Sequence, residues 1–228
     1  MDKARILVLD IETMPALADV WGIWNENIPI QRIREPGYVF GFGWKWHGGK
    51  RAAWVDGTDT EERVAQMAHA LLDEADAVVT YNGDKFDLPH LNKTMMKGGL
   101  FPPSPYKSID LYRAAKRTVK LESNKLDYVT RYFGLDMKIE TDYSLWQGCM
   151  AGDPRAIAKM AKYCKNDVDI TDNLFDFLLP WIPGLPNMGA YGDPGLAFAC
   201  TACTSRNVQK RGTAMALSMR YQRYQCQD

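Results

Sequence analysis

Two carboxylates separated by a single residue, Asp10 and Glu12, follow directly on an apolar run near the start of the chain. Residues i and i+2 of a strand face the same side, so both carboxylates are predicted to point into one space while Ile11 points into the core. Like charges held this close repel each other, and a bound cation is the usual compensation. Oxygen ligands of this kind suit Mg²⁺ or Mn²⁺. By itself, the pair could also be a solvated acidic strand end.

A second group of polar residues follows another apolar run, in the stretch that contains Asn82, Phe86 and Asp87. A strand that runs into a turn with glycine is a natural place to present polar side chains at the edge of a sheet. Asp84 is an alternative acid in this stretch, but its position beside Gly83 is typical of a turn residue. We therefore predict that Asp87 is the functional carboxylate.

A third group lies in a long helical pattern that follows residue 153. Tyr163 and Asp167 are four residues apart and therefore share one face of the predicted helix. Asp169 points away from that face, which favours a solvated or capping role. The helix thus offers one more carboxylate, with a phenol one turn before it.

Taken together, the three groups resemble the three exonuclease motifs of the DnaQ-like 3′–5′ exonucleases, which belong to the RNase H-like superfamily. The first group is similar to the motif Asp-x-Glu, the second to Asn-x-x-x-Phe-Asp and the third to Tyr-x-x-x-Asp. A tyrosine in the third motif is typical of the DEDDy subclass, as opposed to the histidine subclass. The strings most closely resemble those of the proofreading domains of family B DNA polymerases, and they occur in the family's order over residues 10–167.

The resemblance implies a fold, a metal requirement and roles for individual residues. The fold would be α/β, an RNase H-like mixed sheet flanked by helices. Two Mg²⁺ or Mn²⁺ ions would assist the attack of water and the departure of the 3′ oxygen. Tyr163 would orient that water, because a phenol with a pKa near about 10 is a poor general base. By resemblance, the metal ligands are Asp10, Glu12, Asp87 and Asp167, and the residues that bind substrate are Asn82, Phe86 and Thr13.

The implied activity is hydrolysis of DNA from the 3′ end to nucleoside 5′-monophosphates, in replication, repair or recombination. The predicted partners are DNA with a 3′ end, with single strands favoured, and replication or recombination proteins. Since the sequence contains no polymerase domain, we interpret it as a stand-alone nuclease of the kind that phages encode, or as a subunit of a larger assembly. Two alternatives stay open. One is a 3′–5′ exoribonuclease, because no residue reveals contacts to a 2′-hydroxyl; the other is a non-catalytic module for nucleic-acid binding or docking.

The elements that must position these residues alternate between strands and helices, which indicates a mixed α/β sheet. A helix cap is predicted at Thr58-Asp59, and another at Asp153, where Pro154 would occupy the first helical position. The seven tryptophans are predicted to pack in the core or at its edges. Strands are predicted at residues 4–9, 38–46, 51–55, 77–81 and 107–111, and helices at residues 125–133 and from residue 154 towards 179.

The 228 residues divide into three predicted parts: an exonuclease domain over residues 1–180, a Pro/Gly-rich linker over 181–199 and a basic tail over 200–228. The chain has no formal net charge, but the tail has five basic residues and one acidic residue, a net charge of +4. With no long apolar run and no signal-peptide pattern, we predict no membrane partner. The expected location is the cytoplasm of a bacterium or of a phage-infected host.

The tail contains a Cys-x-x-Cys motif at Cys200 and Cys203, with a third cysteine at Cys226. Such a motif resembles the knuckle that begins a zinc ribbon, and structural zinc needs four tetrahedral ligands. The tail offers three cysteines and no histidine. Two interpretations follow: a zinc ribbon that is cut short at residue 228, which would add Zn²⁺ as a cofactor, or free thiols. The basic residues would suit nucleic-acid binding by such a ribbon, or protein docking.

Overall fold

The computed structural model describes residues 4–24, 26–58, 60–182, 184–185, 187–188 and 199–228. The strands in these residues are β1 (Ile6–Met14), β2 (Leu17–Ala18), β3 (Ile33–Glu35), β4 (Tyr38–Trp46), β5 (Ala53–Asp56), β6 (Ala77–Thr80), β7 (Lys107–Asp110), β8 (Val208–Ala216) and β9 (Met219–Cys226). The α-helices are α1 (Glu61–Glu74), α2 (Asp87–Lys97), α3 (Leu111–Thr118), α4 (Leu126–Tyr132), α5 (Tyr143–Met150) and α6 (Pro154–Leu178).

A five-stranded sheet with the order β5-β4-β1-β6-β7 forms the centre of the fold. β1 pairs antiparallel with β4 and parallel with β6, and β6 pairs parallel with β7. The sheet is therefore mixed, as predicted. Because β1, β6 and β7 run in one direction, their carboxyl ends meet at one edge, where open α/β sheets commonly place their ligand sites.

Helices cover both faces of this sheet. On one face, Leu7, Leu9 and Ile11 of β1 pack with buried residues of α1 and α2. On the other face, Ile6 and Val8 pack with buried residues of α3, α4 and α6. Alternation along β1 thus sends successive side chains into two cores, so a strand buried on both faces reads as one continuous apolar run.

Two helix starts test the capping predictions. Asp153 caps α6, because its side chain accepts a hydrogen bond from the backbone N–H of Arg155, and Pro154 occupies the first turn, as predicted. The cap of α1 is Thr60, whose hydroxyl accepts from the N–H of Arg63, so the prediction of a cap at Thr58-Asp59 was wrong for Thr58, and Asp59 lies outside the described residues. The hydroxyl of Thr58 instead bonds the carboxylate of Asp56.

The prediction that all the tryptophans pack in or beside the core was wrong for three of them. Trp21, Trp24 and Trp181 are 89%, 82% and 66% exposed. Trp21 and Trp24 lie in the excursion between β2 and β3, which form a small antiparallel sheet of their own. An expectation of burial that rests on residue type alone fails there, because the excursion is too short to build a core around two indole rings.

The end of the chain forms a second, separate small sheet in which β8 and β9 pair antiparallel. Before it, Ile182, Leu185 and the buried Met188 still pack against the core beside α6, beyond residue 180. Most of the predicted linker over residues 181–199 lies outside the described residues. None of the described helices has the length and apolar character that crossing a membrane requires.

Candidate active site

β1 carries the first two carboxylates, and its alternation directs them towards α6. Asp10 is partly buried, Glu12 is buried, and Ile11 between them packs in the core on the opposite face. The two acids therefore share one side of the strand, as predicted from their spacing. Pairing with β4 shifts register between Glu12 and Thr13, which marks an irregularity immediately after the second acid.

Asp87 is the first residue of α2 and lies beside β1. Its Oδ1 atom accepts a hydrogen bond of 3.1 Å from the backbone N–H of Ile11, the residue between the two acids. Asp84 is held elsewhere: its carboxylate accepts a hydrogen bond from the Ser108 hydroxyl at 2.5 Å and forms an ion pair with Arg113 at 2.6 Å. The structure thus brings Asp87, and not Asp84, to the acids of β1.

α6 brings Asp167 and Tyr163 to the same place, because it can approach the sheet closely at one glycine. A Cβ atom on Gly43 of β4, which lies opposite Asp10, would be 2.9 Å from Val168 Cγ2 and 3.1 Å from Cys164 Sγ. The N–H of Gly43 bonds that sulfur at 3.1 Å, and the thiol in turn lies 3.3 Å from the backbone oxygen of Asp10. A side chain at Gly43 would move α6 away from β1.

Ion pairs fix the next turns of α6 against β4. The ammonium of Lys45 lies 2.8 Å from one carboxylate oxygen of Asp172 and 3.2 Å from a carboxylate oxygen of Asp169. His47 bonds the other oxygen of the buried Asp172 through Nδ1 at 2.7 Å, and this hydrogen bond raises the pKa of the imidazole. Asp169, predicted to be solvated or capping, is half-exposed and forms one of these pairs. The register of α6, and with it the position of Asp167, is set by these contacts as well as by packing.

The carboxylates of the site are held where their charges are unfavourable. Burial, and then the charges of Asp87, Asp167 and Glu12, raise the pKa of Asp10 well above its usual value. Burial chiefly raises the pKa of Glu12 to about 8 and that of Asp87 to about 7. Burial also raises the pKa of Asp167, although Lys138 opposes it. The four acids therefore form a cluster in which added positive charge would be stabilising.

The donor atoms fit a hard divalent cation. Asp167 is 3% exposed, and its Oδ1 atom is buried without a hydrogen-bond partner. A buried carboxylate oxygen in that condition is rare in folded proteins and points to a ligand. Ligand atoms of Asp10 and Glu12 lie within 4.8 Å of each other and of Cys164 Sγ. Since Mg²⁺ and Mn²⁺ take oxygen ligands, the carboxylates and not the thiol are the donors that suit them.

Lys138 is a site residue that the sequence reasoning missed. Its ammonium lies 2.7 Å from Asp167 Oδ2 and 3.3 Å from the hydroxyl of Tyr163. The charge of Asp167 raises the pKa of this half-buried lysine, against the opposing effect of burial, so the lysine stays charged. Burial raises the pKa of Tyr163 to about 12, which keeps the phenol protonated. Lys138 lies in the loop between α4 and α5, where no periodic pattern marks it.

A cavity of 680 Å³ opens beside Asp10 and is lined by Asn82, Tyr112, Asn124 and Lys138, among others. Its volume is typical of a small-molecule site, at roughly 300–1,000 Å³. Asn82 reaches it from a left-handed backbone conformation, with φ of 67°.

Asp110, at the end of β7, holds this turn in place. Its Oδ1 atom accepts hydrogen bonds from the N–H groups of Asn82, at 2.9 Å, and of Tyr112 in the first turn of α3. The sequence reasoning did not single out Asp110, although an acid directly before a helix is a recognisable cap.

The remaining predicted site residues lie further apart. Phe86 is 41% exposed, with its ring centroid 4.7 Å from that of His90. Thr13 lines a different cavity, of 470 Å³, together with Tyr143 and Trp146. The structure therefore brings Asn82 to the cavity beside Asp10 and leaves Thr13 outside it. In the tail, the sulfur atoms of Cys200, Cys203 and Cys226 all lie within 4.8 Å of one another.

The fold agrees with the family to which the chain belongs. Residues 29–179, more than half of the chain, match the model of the RNase_H superfamily. The chain is thus a member of this superfamily, which places it among the RNase H-like nucleases and confirms the predicted membership and fold class. No curated protein matches the chain by sequence.

A solved structure shows the same fold. The family B DNA polymerase from the hyperthermophilic archaeon Pyrobaculum calidifontis is similar with a TM-score of 0.60 and 21% sequence identity. The match covers 78% of this chain and 25% of the polymerase, so the chain spans about a quarter of that enzyme's length. At this level of identity, the likeness concerns the fold.

Proposed function

We propose that this nuclease hydrolyses DNA from the 3′ end and releases nucleoside 5′-monophosphates. The observation that carries the proposal is the approach of four carboxylates, from β1, α2 and α6, whose charges act on one another, together with a buried oxygen of Asp167 that has no partner. The choice of DNA is supported by the similarity of the fold to that of a DNA polymerase. The choice of 3′ polarity rests on the resemblance of the three sequence motifs.

Asp10, Glu12, Asp87 and Asp167 are the proposed metal ligands. Bound there, two Mg²⁺ or Mn²⁺ ions would supply a nucleophilic water at neutral pH and stabilise charge on the departing 3′ oxygen. The raised pKa values of the four carboxyls support this assignment, because a site that repels its own charges binds cations with a gain in stability.

Tyr163 is proposed to position the attacking water and not to remove its proton. A phenol with a pKa of about 12 is protonated throughout the neutral range and is a hydrogen-bond donor there. Lys138, 3.3 Å from the phenol oxygen, limits where the hydroxyl can point. Lys138 also pairs with one oxygen of Asp167 and so leaves the other oxygen, which is buried without a partner, for a metal ion.

The cavity beside Asp10 is the proposed position of the 3′-terminal nucleotide. Its lining combines amides, from Asn82 and Asn124, with the ring of Tyr112, and such rings stack on bases without regard to sequence. Phe86 is exposed enough to pack against a neighbouring base. A role for Thr13 in substrate binding would require the substrate to reach the second cavity as well.

The test is cleavage of 5′-labelled single-stranded DNA, duplex DNA and RNA with Mg²⁺, Mn²⁺ or a chelator. A ladder that shortens from the 3′ end of DNA, and that disappears with the chelator, is expected. Asp167→Asn is the matched control, because it keeps the shape of the side chain and removes its charge. If RNA were cleaved faster than DNA, RNA would be the substrate instead. If none of the three substrates were cleaved, the proposal would be contradicted.

A further inference from the structure

Three cysteines converge at the base of the C-terminal hairpin. Cys200 and Cys203 precede β8, and Cys226 ends β9, where it pairs with Val208 at the start of β8. The sulfur atoms lie within 4.8 Å of one another, and those of Cys203 and Cys226 are 3.6 Å apart. Cys226 therefore joins two cysteines that lie 23 or more positions before it in sequence, and the three thiols meet at one point.

The hairpin has almost no core of its own. In β8 and β9, only Val208 and Cys226 are half-buried, and every other side chain is exposed. A two-stranded hairpin without a buried face is at best marginally stable in water. Its connection to the rest of the fold includes a hydrogen bond of 2.8 Å from the N–H of Met188 to the oxygen of Thr201. Backbone pairing alone does not account for a stable fold here, so the cysteine cluster is the natural place for a further constraint.

We propose that Cys200, Cys203 and Cys226 bind one Zn²⁺ ion as thiolates and that this ion holds the hairpin together. Sulfur ligands favour zinc over magnesium or manganese. Binding displaces the three thiol protons to solvent, and the fourth tetrahedral position takes water or another added ligand. The other two cysteines, Cys149 and Cys164, are buried in the main domain and do not contribute.

The geometry around Cys200 supports thiolate binding independently. The backbone N–H of Ala202 points at Cys200 Sγ at 3.4 Å, and amide donors stabilise a charged sulfur.

A disulfide between Cys203 and Cys226 is the competing use of the same sulfurs. It would need a sulfur–sulfur distance of about 2.05 Å, and it would leave Cys200 without a role in the cluster. The two possibilities differ in the number of free thiols and in metal content, so one set of measurements separates them.

The experiment uses the full 228-residue chain, purified with a reductant, loaded with Zn²⁺ and desalted in excess Mg²⁺ to clear the carboxylate site. We expect about one zinc ion per chain by elemental analysis. Cobalt in place of zinc should give the charge-transfer absorption of thiolate ligands. The single substitutions Cys200→Ser, Cys203→Ser and Cys226→Ser should each abolish zinc retention, whereas Cys149→Ala, in the core of the main domain, should retain it.

A second measurement addresses the hairpin. Limited proteolysis should cut residues 200–228 faster after chelation, and zinc should restore protection, while circular dichroism of the helical domain stays unchanged. Absence of zinc in a chain whose five thiols all react after denaturation would overturn the proposal, as would full zinc retention by the three serine variants. A Cys203–Cys226 disulfide in the purified chain would overturn it too. None of these outcomes depends on whether the main domain cuts DNA.

Discussion

The carboxylate site and the cysteine cluster bring ligand atoms together by opposite means. In the first, three elements with extensive buried cores force four acids into one space, and the acids repel each other. In the second, a hairpin with exposed side chains brings three thiols together with little packing to hold them. The fold dictates the first site at the expense of its own stability, whereas the proposed zinc ion would supply the stability of the second. Removing metal ions should therefore leave the domain with the carboxylate site folded and should unfold the C-terminal hairpin.

The largest effect is expected from Asp167→Ala. It removes a buried carboxylate oxygen that has no partner, and loss of a charge-stabilising group in a nuclease site costs roughly a hundredfold to a thousandfold in rate. The thermal midpoint should not fall, because a repelling charge is removed as well. Cleavage rates and thermal unfolding check this. Full metal-dependent activity in the variant would show that the carboxylate cluster is not the catalytic centre.

Lys138→Met should lower the cleavage rate by about 10–100-fold, the usual cost of removing a group that orients a metal ligand. The variant loses contacts to both Asp167 and Tyr163. Lys138→Arg, which keeps the charge, should recover part of the rate. If the two variants were equally impaired, the position and not the charge of the side chain would be the decisive property. Lys50→Met, exposed in the turn between β4 and β5, is a suitable control.

Gly43→Ala tests whether packing positions the site. The added methyl would meet Val168 and Cys164, and overpacking of this kind costs about 1–3 kcal/mol of unfolding free energy. We expect a lower thermal midpoint together with a severalfold loss of rate, since α6 carries Asp167. Gly22→Ala, where a Cβ has open space, should change neither property. A fall in stability without any change in rate would mean that α6 need not lie this close to β1.

Tyr163→Phe should have a smaller effect on cleavage than the changes above, about tenfold or less, because the water would lose one hydrogen bond and keep its other partners. The variant should show the same pH profile as the parent chain, since the phenol is protonated below its pKa of about 12. A lost alkaline or acidic limb in the profile would indicate that the tyrosine takes part in proton transfer after all.

The smallest effect concerns stability and pH. Glu12 and Asp87 have folded-state pKa values of about 8 and about 7, above their ordinary values of 4.5 and 3.8. The folded chain therefore binds more protons than the unfolded chain between about pH 4 and 8, and metal-free stability falls as pH rises through this window. Each kcal/mol corresponds to roughly 2–4 °C of thermal midpoint for a chain of this size. Added Mg²⁺ should raise the thermal midpoint more at pH 8 than at pH 5. Asp10→Asn should reduce this difference between the two pH values.

Local spacing was enough to predict several parts of the molecule. The positions of Asp10 and Glu12 on one side of a strand, and of Tyr163 one turn before Asp167, follow from strand and helix periods. The Asp153 cap follows from its chemistry. All these features depend on residues a few positions apart, where backbone geometry alone determines which side chains are neighbours.

Other parts depend on contacts between distant segments, which one sequence does not reveal. Lys138 reaches Asp167 only because a loop folds back over α6. Gly43 matters only because α6 crosses β4 at that residue, 121 positions away from Cys164 in sequence. Asp110 holds the Asn82 turn from a different strand. The exposure of Trp21 was missed for the same reason, since burial requires neighbours that the local sequence does not specify.

The left-handed backbone of Asn82 has a consequence for efforts to stabilise the protein. At φ of 67°, glycine is the residue with the least steric cost, so Asn82→Gly would fit the backbone well. The same change would delete the side chain that this turn presents to the cavity beside Asp10. Thermostability screening would have no reason to reject the glycine, and a variant selected only for heat resistance would have an altered lining of the cavity that we propose holds the 3′-terminal nucleotide.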